Sequence, residues 1–191
     1  MCALYLASNG FRFDNEEFAP EQRSEARSRT RKLLEDTPRY LIRSQALGGG
    51  FGSNSFETHC AYTFCALGSL RMLGKLYSKD FIAQINLDDC VNYLLNRQTE
   101  YGGFNGRPNK HVDGCYSYWV CASLRILGKE TLIDTDTFSD FVMNCCQDED
   151  GQGLRDKPDV EPDSYHTCYV LGGYLCATGQ MEAPECNRMA F

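Results

Sequence analysis

Residues 102–127 read GGFNGRPNKHVDGCYSYWVCASLRIL, and this stretch decides the fold. It opens with glycines and an apolar residue, crosses a polar loop, and enters an apolar helix at Tyr116. Residues 48–73 (GGGFGSNSFETHCAYTFCALGSLRML) and 151–177 (GQGLRDKPDVEPDSYHTCYVLGGYLCA) follow the same plan, with Tyr62 and Tyr165 at the helix start. These tyrosines recur about every fifty residues, the signature of a repeat architecture. Before each stretch stands a shorter helix ending in glutamine: PRYLIRSQ (38–45), LDDCVNYLLNRQ (87–98) and DTFSDFVMNCCQ (136–147). Asn86 or Asp88, and Asp134 or Asp136, stand where N-caps belong. Val91, Leu94 and Leu95, then Phe138, Phe141, Val142 and Cys145, give one apolar stripe at helical spacing. Of the helices that follow the loops, Tyr62 to Leu73 and Tyr116 to Leu127 are apolar nearly all round, as buried helices are. A repeating amphipathic–buried pair predicts concentric layers, with the amphipathic helices outside and the buried ones lining a centre. The fold class expected is all-α.

Composition narrows the functional classes. The chain has 191 residues and a net charge of −7, so no sequence-wide basic field exists to hold nucleic acid or an anionic membrane. No apolar run approaches the roughly 20 residues of a membrane helix. Residues 1–10 lack the basic and apolar regions of a signal peptide. Eleven cysteines with no C-x-x-C pair sit mostly in apolar segments, where reduced thiols act as small hydrophobes. A cytoplasmic location is expected. Residues 15–36 are highly charged and read as a solvated helix or a mobile insertion, with no chemistry assigned.

The polar loops before the apolar helices carry the reactive groups. The first holds Glu57 and His59, the second Arg107, Lys110, His111, Asp113 and Cys115, and the third Asp156, Lys157, Asp159, Glu161, Asp163 and His166. If the pairs stack in register, Asp113, Cys115 and His166 converge from neighbouring loops. A carboxylate, a thiolate and an imidazole suit zinc with a fourth position open, as catalytic sites keep it. A histidine at a helix start also serves simply as a cap. Arg107 and Lys110, with His59, suit an anion, and equally a solvated basic turn.

GGFNGRPNKHVDGCYSYW resembles the signature of protein prenyltransferase β-subunits, in which a G-R-x-N-K loop leads to D-x-C-Y-S-aromatic-W. FVMNCCQDEDGQGLRDKPDVEPDSYHTCYVLGG and GGFGSNSFETHCAYTFCALGSL resemble the units on either side, so the likeness runs from about Pro38 to Ala177. The resemblance implies an α/α toroid. It places Asp113, Cys115 and His166 as ligands of one catalytic Zn2+. His59, Arg107, Lys110 and Tyr116 stand where the family binds the isoprenoid diphosphate. Tyr62, Cys65 and Trp119 match the lining of the isoprenoid tunnel, Asp156 matches a carboxylate assisting Mg2+, and Tyr165 borders the peptide channel.

D-G-C-Y-S, Y-H-T-C-Y and Asp156 in R-D-K-P resemble the farnesyl enzyme; YWVCASLRILGK also resembles the type II geranylgeranyl enzyme. The activity implied is farnesyl transfer from farnesyl diphosphate to the cysteine of CaaX-type protein substrates, with a prenyltransferase α-subunit as partner. The alternatives are geranylgeranyl transfer and a non-catalytic helical-repeat binding protein. Family β-subunits run to about twice this length, so residues 1–191 are expected to form one partial toroid domain of three to four helix pairs. Residues 1–11 then read as the tail of an earlier inner helix.

Overall fold

The computed structural model describes residues 19–53, 57–74 and 78–180. The expected helix tail at residues 1–11, and residues 181–191, lie outside the described residues. In chain order the helices are α1 (Pro20–Arg43), α2 (Cys60–Met72), α3 (Lys79–Ile82), α4 (Leu87–Leu95), α5 (Tyr116–Ile126), α6 (Thr135–Phe141) and α7 (Ser164–Ala177). Isolated β-bridges occur in the loops, and no strand forms among the described residues.

The inner helices α2, α5 and α7 pack side by side in that order, and α1, α4 and α6 lie outside them as their partners. The central helix α5 is covered on both flanks. Arg71 Nη1 donates to the Ile126 carbonyl (3.4 Å), and Arg125 Nη1 to the Cys176 carbonyl (3.3 Å), which joins the C-terminal ends of successive inner helices. The core runs between the layers through Phe51, Leu67, Leu70, Leu94, Phe104, Val120, Leu124, Phe138 and Val170. The rings of Phe104 and Phe138 meet edge to face at 5.1 Å.

A clasp made by the glutamine that ends the first and the second outer segment links each to the next outer helix. Gln45 Nε2 donates to the Asn86 carbonyl (2.9 Å), and its Oε1 accepts the Asn86 N–H (2.9 Å). Gln98 repeats this on Asp134, at 2.8 and 3.1 Å. Each clasped residue is the N-cap of the next outer helix: Asn86 accepts the Asp89 N–H at 3.0 Å and Asp134 the Thr137 N–H at 3.2 Å. Of the paired cap candidates, Asn86 and Asp134 therefore serve. Gly102, at φ +83°, brings its turn so close that a Cβ would lie 1.9 Å from the Thr137 carbonyl oxygen.

Four features differ from the sequence reading. Residues 20–36 form the solvated helix, one of the two readings of this segment, but as a continuation of the first outer segment and not as an insertion, so α1 spans 24 residues, with Pro20 at its first turn and Pro38 buried. The inner helices start at Cys60, Tyr116 and Ser164, so the three tyrosines are not equivalent. Thr63 and Thr167 both accept the N–H of the loop's apolar residue, Phe51 and Leu154, which puts His166, not Tyr165, in register with Tyr62. In the third outer segment a π turn over Val142–Cys146 widens the helix, so Cys146 is buried and Cys145 only half-buried. Finally, α2 and α7 are not buried all round. Tyr62 and Cys65 on α2, and Tyr165, Cys168 and Leu171 on α7, are exposed, because these helices form the flanks of the described layer and only α5 has two inner neighbours.

Candidate metal centre and anion cradle

Successive loops are tied together where they meet the inner helices. The Cys60 N–H donates to the Gly106 carbonyl (2.9 Å), and the Gly114 N–H to the Asp156 carbonyl (2.8 Å). The second tie requires glycine, since a Cβ on Gly114 would lie 2.8 Å from the Arg155 carbonyl oxygen and 2.7 Å from Val170. This close approach brings the second and third loops onto one spot.

Asp113, Cys115 and His166 converge there, each offering one ligand atom within 4.8 Å of the others. Asp113 Oδ1 accepts the Cys115 N–H at 2.9 Å and lies 3.5 Å from His166 Nε2. Asp163 holds the histidine twice: Oδ1 accepts its backbone N–H (2.7 Å) as the α7 cap, and Oδ2 lies 2.6 Å from Nδ1. A ring proton held on Nδ1 by this carboxylate would leave the Nε2 lone pair facing Asp113, the arrangement metal-ligating histidines use. Burial, then the hydrogen bond and charge of Asp113, push the Cys115 thiol far above its ordinary value, with Asp156 adding to the rise. A buried thiol among carboxylates needs a cation to ionise, so the donor set fits a divalent metal with affinity for sulfur and nitrogen. Asp156 Oδ2 pairs with Lys157 at 2.7 Å, while its buried Oδ1 has no hydrogen-bond partner among the described residues.

The anion candidates lie beside this set, because Tyr116 follows Cys115 directly. Tyr116 Oη stands 3.3 Å from His59 Nε2. Nδ1 of His59 accepts the Ala61 N–H (3.1 Å), so the neutral ring carries its proton on Nε2 and donates it to Tyr116. The tyrosine's own proton is then free for another acceptor. Burial first, then Arg107, lower the His59 pKa, against an opposing pull from Glu57, and keep the ring neutral. Gly106 makes room for the Tyr116 ring, which a Cβ would meet at 2.3 Å. Arg107 is ion-paired with Glu57, a loop acid to which the sequence reading gave no role. Lys110 is exposed beyond Asn109, whose φ of +61° turns the loop outward, and no bond joins it to the others among the described residues.

Of the expected apolar lining, Trp119 stacks on Tyr169 at 4.7 Å and meets Phe64 at 5.3 Å. Tyr165 lies 4.6 Å from Tyr169 and 5.1 Å from the His166 ring, bridging the aromatic wall and the metal set. Tyr62 packs edge to face on His59 at 5.8 Å, and Cys65 is exposed on the same helix. Phe64 and Tyr169 escaped the sequence reading, although each is a ring next to or in helical register with a residue that reading named.

A layer of paired helices whose loops converge on a carboxylate–thiol–imidazole set, one that could hold a metal ion, is the architecture of an α/α toroid. The prenyltransferase alpha-alpha toroid domain matches residues 5–189, and the chain belongs to the prenyltransferase β-subunit family. It is 39% identical over 154 residues to the farnesyltransferase β-subunit of Schizosaccharomyces pombe, covering 74% of this chain and 38% of that protein. It is 36% identical over 162 residues to the geranylgeranyl transferase type-1 β-subunit of Arabidopsis thaliana, covering 81% of this chain and 42% of the relative. Among solved structures, Candida albicans protein geranylgeranyltransferase-I complexed with GGPP superposes with a TM-score of 0.66 at 30% identity, over 75% of this chain and 43% of that one. The chain thus spans less than half the length of these relatives. Among the described residues no helix is long and apolar enough to cross a membrane.

Proposed function

We propose that the chain is a single toroid-type domain carrying the metal and diphosphate sites of a cytoplasmic protein farnesyltransferase β-subunit. It would work with a prenyltransferase α-subunit, farnesyl diphosphate and CaaX-type protein substrates. The observation that carries this reading is the adjacency of two sites, the Asp113–Cys115–His166 set and the His59–Tyr116–Arg107 group, joined through the Cys115–Tyr116 peptide. Asp113, Cys115 and His166 would hold zinc, which supplies the Lewis acidity that lowers the pKa of a substrate thiol.

The chain's own residues do the remainder. Diphosphate gathers charge as its C–O bond breaks, and fixed donors aimed at it stabilise that charge. Tyr116 gives the proton that His59 leaves free, and Arg107 gives the guanidinium that Glu57 holds in the absence of an anion. Lys110 would close over the diphosphate from the same loop. Asp163 fixes the His166 tautomer, and Asp156, with one buried oxygen unpaired, would take Mg2+. The rings of Trp119, Tyr169, Phe64 and Tyr165 suit an isoprenoid, a long apolar chain with π-bonds. Geranylgeranyl transfer is the second reading, favoured by the similarity to both enzyme types.

The test is the zinc stoichiometry of the full chain co-expressed with a prenyltransferase α-subunit, followed by transfer assays with farnesyl and geranylgeranyl diphosphate. One zinc per chain, lost in Cys115→Ala and His166→Ala, supports the metal assignment, and the preferred diphosphate decides between the two transferases. A folded complex without zinc refutes the catalytic reading and leaves a helical-repeat binding protein.

A further inference from the structure

Arg97, in the turn leaving α4, is only 7% exposed, yet it has no carboxylate partner among the described residues. Its Nε donates to the Tyr93 carbonyl (3.2 Å), its Nη1 to Asn105 Oδ1 (3.1 Å), and the guanidinium lies 5.0 Å over the Tyr93 ring. A buried charge without a counter-ion is unfavourable, so its presence asks for a compensating interaction.

The three repeats show where that interaction lies. Asn105 N–H donates to the Arg97 carbonyl as Gly52 N–H does to Ser44 and Arg155 N–H to Cys146, so Ser44, Arg97 and Cys146 are equivalent positions. A feature needed for the fold would recur in each unit. At this position a cation occurs only in the unit followed by the Arg107–Lys110 loop; the third unit instead carries Arg155 where Asn105 stands, half-buried with its Nε donating to the Cys145 carbonyl (3.2 Å). From Asn105 the chain reaches Arg107 in two residues. Both anchors on that path converge on the start of α2: the Asn105 carbonyl accepts from Cys60 Sγ (3.5 Å), and the Gly106 carbonyl accepts the Cys60 N–H (2.9 Å). Arg97's field reaches this helix start. Burial pushes the Cys60 thiol up to about 12, and the Arg97 charge acts against that rise.

We propose that Arg97 is a positioning residue of the anion site, clamping Asn105 so that the Arg107 loop is held in place and lending it an unneutralised positive charge from beneath. This inference rests on the diphosphate reading above. Buried cations act through a low dielectric, so a charge that never touches the ligand still strengthens its binding.

The experiment titrates inorganic pyrophosphate calorimetrically into the full chain and into Arg97→Met, Arg97→Lys and Asn105→Asp, with a thermal melt of each. Asn105→Asp keeps the clamp and neutralises the charge. The expected result is pyrophosphate binding weakened roughly three- to tenfold in Arg97→Met and Asn105→Asp and within about twofold of wild type in Arg97→Lys, with the Asn105→Asp melt not lowered. If Asn105→Asp binds as wild type does, or Arg97→Lys is as weak as Arg97→Met, the inference is overturned while the diphosphate reading stands. If the wild-type chain does not bind pyrophosphate, both fall together. Should Arg97→Met fail to fold, Asn105→Asp decides.

Discussion

Gly102→Ala and Gly151→Ala form a matched pair that separates backbone strain from helix docking. Both glycines have positive φ, +83° and +70°, a region that disfavours a Cβ by about 1 kcal/mol. Their surroundings differ. At Gly102 the new methyl would lie 1.9 Å from the Thr137 carbonyl oxygen, 2.4 Å from its carbon and 3.0 Å from the Phe138 nitrogen, all of them backbone. No rotamer relieves that overlap, so the start of α6 must retreat by about 1.5 Å to reach ordinary contact. Retreat breaks both Gln98 hydrogen bonds to Asp134, each contributing about 1 kcal/mol, and loosens the Phe104–Phe138 pair, about another 1 kcal/mol. The expected loss is about 4 kcal/mol for Gly102→Ala. At Gly151 no atom of the described residues lies within 4 Å of where a Cβ would stand, so only the strain of about 1 kcal/mol remains. A difference of about 3 kcal/mol separates melting temperatures by about 6–12 °C in a chain of this size. Thermal and urea unfolding of the full chain, followed by circular dichroism, reads this directly. If the two variants melt within about 2 °C of each other, the docking argument is wrong.

Three other outcomes follow from the site. Asp163→Asn keeps the α7 cap but no longer fixes the His166 tautomer, so zinc affinity falls about 10- to 100-fold with little change in apo stability; competition with a chromophoric chelator measures it, and a change under about twofold refutes it. Gly106→Ala displaces the Tyr116 ring and should weaken pyrophosphate binding about tenfold, as Tyr116→Phe should by removing the donor; calorimetric affinities equal to wild type would count against the cradle. His59 has its folded pKa below 6.5, so the unfolded chain takes up the proton first. Its neutral form stabilises the fold above that pH, and stability is lost as pH falls through 6.5 towards the folded value. His59→Gln should therefore show a shallower drop in urea midpoint on mild acidification, and an unchanged slope would remove His59 from that balance.

Much of this architecture was legible because repeats fix helix order and pairing without detailed energetics. The caps Asn86 and Asp134 were visible as short polar residues before apolar helices, though choosing them over Asp88 and Asp136 needed the clasp geometry. Convergence of Asp113, Cys115 and His166 followed from stacking the units in register. Other features depend on contacts across distant segments, which a one-dimensional pattern does not encode. Glu57 reaches Arg107 across 50 residues, and Arg97 differs in burial from any surface arginine only through packing. The π turn at Val142–Cys146 leaves no compositional mark, and α1 runs through Pro38 although proline disfavours helix interiors.

The glutamine clasp also gives the fold a direction in time. Gln45 precedes the residue it holds by 41 positions and Gln98 by 36, so in each case the mould is translated before the segment it shapes. A nascent chain, which folds from its N-terminus as it emerges, therefore meets a finished seat for the start of each new outer helix. Assembly then proceeds as templated growth. A glutamine lost from one unit frees the turn carbonyl it holds within that unit (Gly49 for Gln45, Gly102 for Gln98) and deprives its successor of a starting point.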